Sequence, residues 1–221
     1  MAFVNPNKLT GLSLVTSLAS APVSGRGRIY AIPTGDATYN YFPNDLVQFV
    51  GGGDAYGLPT VQMNAAGGSA PTGTAAGVIQ AVGTNAQGGP YINPNTLASL
   101  YAPIAKTVVY YCYVLDDPML LWEIQEVGTG TNIAAAQMGL NANLLLDATA
   151  TGTPLATQVY SRTGITDTAA PTTTSTLNFQ IISLAQRPDN HFVTTPATGG
   201  GYQKFWVRIN NHAYSTGVQA T

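Results

Sequence analysis

Leu120-Leu121-Trp122-Glu123-Ile124-Gln125-Glu126-Val127 decides the fold class. Leu120, Trp122 and Ile124 alternate with Leu121, Glu123 and Gln125. Alternation of period two puts successive side chains on opposite faces of a strand, one of them apolar. Immediately upstream, Asp116-Asp117-Pro118 has turn chemistry and ends a second run, Thr107–Leu115, rich in Val and Tyr and suited to a central strand. Downstream, Leu177–Ile181 and Lys204–Asn210 alternate in the same way. The most strongly patterned positions, Val109, Tyr111, Trp122, Ile124, Phe179, Ile181, Phe205 and Val207, are the expected buried anchors.

The first half reads as shorter strands between Gly and Pro clusters: Arg28–Pro33, Leu46–Val50, Thr60–Met63 and Gly77–Gly83, with Gly51-Gly52-Gly53 closing the second. Asn64–Thr74 reads as a loop of small and polar residues. Asn95–Tyr101 is the best helical candidate, with Asn93 or Asn95 as cap and Pro94 in the first turn. The pattern predicts an all-β chain, a β-sandwich or small barrel-like domains with long Gly-, Thr- and Ala-rich loops and one short helix. Three segments are expected: an extended arm over 1–25, a small β module over 26–105 and a main β domain over 106–221.

Composition narrows the function. Only 8% of the 221 residues are charged and the formal net charge is -2, against about 25% charged in an ordinary globular domain. Neutral amides and hydroxyls over a β-rich core suit a protein whose faces meet other proteins, because they hydrogen-bond across an interface without desolvating ions. Interface strength should then depend weakly on ionic strength. The scattered basic residues give no reason to bind nucleic acid, and no stretch is apolar enough to span a membrane. Lys8, the apolar stretch Leu9–Leu18 and Ala19-Ser20-Ala21 have the shape of a secretory signal. Thr10, Gly11, Ser13, Thr16 and Ser17 interrupt it and argue against that role. Residues 1–25 hold one base and no acid. The arm is expected to lie along its own domain or a neighbouring subunit; Phe3, Val4, Leu12, Leu14 and Leu18, with Arg26 and Arg28, are the candidate interface residues, part of the arm packing on a neighbouring subunit or shell.

No catalytic constellation emerges. Cys112 sits in an apolar run and reads as a buried hydrophobe. His191 and His212 lack metal-ligand spacing and read as exposed loop residues; Asp116 and Asp117 read as a turn more readily than a cation site. Glu123 and Glu126 face opposite ways and do not meet in one cleft. No G-x-S-x-G elbow is present, and Gly51-Gly52-Gly53 lacks the lysine of a phosphate cradle. Tyr39, Tyr41, Phe42 and Tyr56 lie near loops and suit protein contact better than sugar or base stacking. No cofactor and no metal is expected.

The second half resembles the auxiliary proteins that decorate or cement the heads of tailed bacteriophages. The resemblance covers residues 105–214 and rests on ordered segments: Asp116-Asp117-Pro118 with Trp122-Glu123-Ile124-Gln125, Gly139-Leu140-Asn141-Ala142-Asn143, Ser161-Arg162-Thr163-Gly164, Arg187-Pro188-Asp189-Asn190, and Trp206-Val207-Arg208-Ile209-Asn210-Asn211-His212. In the first half, Asn44-Asp45-Leu46-Val47 and Ala76-Gly77-Val78-Ile79 are similar in style to small capsid-decorating barrels. The resemblance implies a non-enzymatic virion protein on the capsid exterior, assembled in the bacterial cytoplasm. The implied partners are the phage major capsid protein and other copies of the chain, as dimer or trimer. The alternatives are a tail or host-attachment protein that binds a surface glycan, and a virion-associated glycan hydrolase.

Overall fold

The structure, a computed structural model, describes residues 5–19, 27–64, 66–67, 70–71, 74–85, 92–127, 132–147, 150–155, 157–166, 169–193 and 201–216. The fold is all-β. In chain order the strands are β1 (Ser13–Ser17), β2 (Gly27–Ile32), β3 (Leu46–Gly53), β4 (Pro59–Met63), β5 (Ala66–Gly67), β6 (Ala70–Pro71), β7 (Ala75–Thr84), β8 (Tyr110–Leu115), β9 (Leu120–Gln125), β10 (Asn141–Ala142), β11 (Leu144–Leu145), β12 (Gly164–Ile165), β13 (Phe179–Leu184) and β14 (Lys204–Ile209). A four-residue helix, α1 (Ala213–Thr216), follows.

Two five-stranded β structures, with the two-stranded pairs β5-β6 and β11-β12, account for the strands of the described residues. Strands β2-β4-β3-β7-β8 close into a barrel, and β1-β9-β14-β13-β10 form an antiparallel sheet. The barrel pairs are antiparallel except β2 with β4. Gly77 permits the tight closure: its φ is +149, and a Cβ there would lie 2.2 Å from the Leu115 carbonyl oxygen.

The alternating positions of β9 and β14 turn Trp122, Ile124, Phe205 and Val207 onto one face, where they pack with Phe179 and Ile181. Val78 and Leu115 of the barrel belong to the same cluster, so one core spans barrel and sheet. Tyr30, Val61, Ile79 and Cys112 are among those that fill the barrel interior. A third cluster packs Ile92 and Leu97 against Ala31 and Tyr111. Of the eight expected anchors, seven are buried and Val109 is half-buried.

Several boundaries differ from expectation. β8, assigned from sequence to the segment after residue 105, closes the barrel. β1, inside the expected arm, is an edge strand of the sheet. Gly51-Gly52-Gly53 continues β3, and Gly53 pairs with Pro59. Asn64–Thr74 contains the short β5–β6 ladder. The helix expected over Asn95–Tyr101 is a single 3-10 turn, Pro94–Thr96. Asn93 caps it by accepting the Asn95 N–H, and Leu97 already has extended backbone, because its side chain turns into the third cluster.

Candidate interaction surface

The described part of the N-terminal arm, residues 5–19, is built into the fold. Leu12 is fully buried in the shared core, and Leu14 packs against it half-buried. The expectation that Leu12 contacts a neighbouring subunit is therefore corrected: the side chain is already sequestered. Gly11 makes the crossing possible, with φ +66 and a hypothetical Cβ only 2.5 Å from the Asn44 carbonyl oxygen. Leu12 N–H donates to that oxygen at 3.0 Å, and Asn44 Nδ2 donates to the Thr10 carbonyl at 2.8 Å. Leu18 remains 43% exposed and available for contact. Phe3, Val4 and Arg26 lie outside the described residues.

The turn that grips the arm also carries a buried carboxyl. Asp45 Oδ2 accepts the Phe42 N–H at 2.7 Å and is hydrogen-bonded to the Ser161 and Thr163 side chains. Desolvation nevertheless dominates and pushes Asp45 up to about 7.

Arg28 is exposed but tethered. Its Nε lies 3.1 Å from Asp116 Oδ2, its guanidinium stacks 4.7 Å from the centre of the Tyr214 ring, and Nη1 donates to Tyr214 Oη at 3.3 Å. Tyr30 donates to the same Asp116 oxygen at 2.6 Å. This cluster latches α1 to the barrel. Asp117 Oδ1 accepts the Met119 N–H at 2.8 Å, which is turn chemistry as expected. Among the described residues no group of three or more His, Cys, Asp or Glu could hold a metal ion.

The histidines separate. His191 sits in its loop with Nε2 2.9 Å from the Pro188 carbonyl. His212, expected in an exposed loop, is instead fully buried. The chain returns beneath β7 there, bridging Ala75, whose N–H donates to the Asn211 carbonyl at 2.8 Å. Tyr214 N–H donates to His212 Nδ1 at 3.1 Å, and burial holds the imidazole down at about 4. Cys112 is buried, and desolvation raises its thiol far above the usual range.

Tyr41 and Phe42, noted from sequence as loop aromatics, are buried, while Tyr56 is exposed. Glu126 is fully buried, accepting N–H groups from Gln203 and Ile133. Glu123 lines a surface groove and pairs with Arg187 at 2.7 Å.

That groove is the feature the sequence did not expose. It lies on the outer face of the sheet, has a volume of about 500 Å³, and is lined by Lys8, Thr10, Val15, Glu123, Arg187, Lys204 and Trp206, among others. Its residues come from four separate segments, so no local motif marks it.

No family model, curated protein or solved structure matches this chain. Among the described residues no helix is long and apolar enough to cross a membrane.

Proposed function

We propose that the chain is a structural virion protein that binds the outer surface of a tailed-phage capsid and bridges major capsid protein subunits. The observation that carries this reading is a chain only 8% charged whose surface keeps large apolar side chains half exposed or more: Leu100, Val108, Leu155 and Tyr160. Such a surface suits burial against other proteins. The resemblance of residues 105–214 to head decoration proteins supplies the kind of partner. The role is attachment without turnover, and copies on a lattice reinforce one another through effective concentration.

Particle stability tests the proposal. Particles lacking the protein should lose DNA or rupture at a lower temperature, and purified protein added back should restore them, since binding the assembled shell stabilises that state by mass action. Undecorated particles that are equally robust but fail to adsorb to cells would favour glycan attachment instead.

A further inference from the structure

Two grooves meet along the N-terminal arm. The larger is the outer-sheet groove of about 500 Å³; the second, about 240 Å³, is lined by Leu155, Val159, Tyr160 and Arg162, and Lys8 and Thr10 line both. Four of the eight basic residues of the chain border this surface: Lys8, Arg162, Arg187 and Lys204. Two of them are engaged. Arg187 contacts Glu123 at 2.7 Å and Asp189 at 3.2 Å, and Arg162 lies 3.8 Å from Asp147.

Lys8 and Lys204 make no ion pair among the described residues. They are neighbours through Gln125: Lys8 N–H donates to Gln125 Oε1 at 2.9 Å, and Lys204 stands opposite Gln125 in the β9–β14 register. Beside them the surface is apolar, with Leu155, Val159 and Tyr160 exposed and Trp206 half-buried in the groove.

We infer that this double groove docks an acidic peptide segment bearing apolar side chains, contributed by another protein. Its carboxylates meet Lys8 and Lys204, and its apolar side chains cover Trp206, Leu155, Val159 and Tyr160. Charge complementarity selects the sign of the ligand. The apolar flank selects a peptide over a phosphate or a sugar, which have no apolar side chains to place there. Two lysines also fall short of the run of cations that tracks a nucleic-acid backbone. That the other protein is a shell subunit rests on the function proposed above; the chemistry of the groove does not. Composition alone predicts an interface nearly indifferent to salt, and this groove is where a salt-dependent contribution enters.

The test titrates the full chain with a short synthetic peptide alternating glutamate and leucine, followed by calorimetry and by the fluorescence of Trp206, the more exposed of the two tryptophans. Comparison probes are the same peptide with lysine for glutamate and a hyaluronan oligosaccharide. The acidic peptide should bind, more weakly as salt rises, and the lysine peptide should not. Lys8→Glu combined with Lys204→Glu should weaken binding by about tenfold or more, with circular dichroism unchanged because both side chains are at the surface. Trp206→Phe should abolish the fluorescence change. Failure of the acidic peptide to bind, undiminished binding by the charge-reversed protein, or preference for hyaluronan would each overturn the inference. Peptide binding by a protein whose absence leaves particles unaffected would remove the virion reading and leave the groove standing.

Discussion

Asp45 and His212 are buried groups whose titrations oppose each other. Asp45 rises from its ordinary 3.8 to about 7 through desolvation, so its contribution to stability is full below 3.8 and is lost as pH climbs toward 7. His212 falls from 6.5 to about 4, again through desolvation, so its contribution is full above 6.5 and is lost as pH drops toward 4. Each shift corresponds to roughly 3–4 kcal/mol, and the two windows overlap. Their sum should leave stability nearly flat between pH 4 and 7. Asp45→Asn should unmask the histidine and make stability fall on acidification, whereas His212→Gln should make it fall as pH rises. Chemical denaturation of both variants across this window measures the slopes; two flat profiles would show that neither group titrates as its burial implies. His212 was not legible as a core residue. It follows the last patterned strand and reads as an exposed loop residue, and nothing local announces that the chain tucks back against Ala75.

At the level of elements, the arm is the largest departure from expectation. Alternation exposed β9, β13 and β14, because a one-faced strand writes its burial into a period of two. β1 carries no such signature: Ser13–Ser17 alternates weakly, and its register with β9 shifts between Leu14 and Thr16. β10, β11 and β12 are two residues each, too short to leave a pattern. Deleting residues 2–20 removes an edge strand and the fully buried Leu12. The truncated protein should therefore lose stability as well as any particle binding. Leu12→Ala should cost about 2–5 kcal/mol in denaturant unfolding. Gly11→Ala should cost at least about 1–3 kcal/mol through its positive φ alone, and more from the clash with the Asn44 carbonyl. A Gly11→Ala protein as stable as its parent would mean that the arm detaches at little cost.

Across the whole molecule, barrel and sheet meet at a shared core and at a buried amide pair, Asn178 Nδ2 donating to Asn64 Oδ1 at 2.7 Å. Neither half keeps its side of that shared core covered without the other. Trp122→Ala should cost about 3–5 kcal/mol and lower the stability of barrel and sheet together. Calorimetry should record one cooperative transition in both proteins; two resolved transitions would show that the halves fold independently. The groove around Trp206 was illegible for a related reason: Lys8, Glu123, Arg187 and Lys204 are far apart in sequence, and only the sheet order assembles them.

That sheet order also sets a timetable for synthesis. The barrel strands lie in one stretch from Gly27 to Leu115, so the barrel can close while the rest of the chain is still being made. The sheet cannot. Its middle strand, β14, is translated after the other four strands of the sheet, and β1, the earliest of the five, waits for β9 more than a hundred residues later. Until β14 arrives, the exposed edges of β9 and β13 have no partner, a condition that invites chaperone capture or pairing with another nascent chain. A chain stopped before Lys204 should emerge with an unfinished sheet and aggregate.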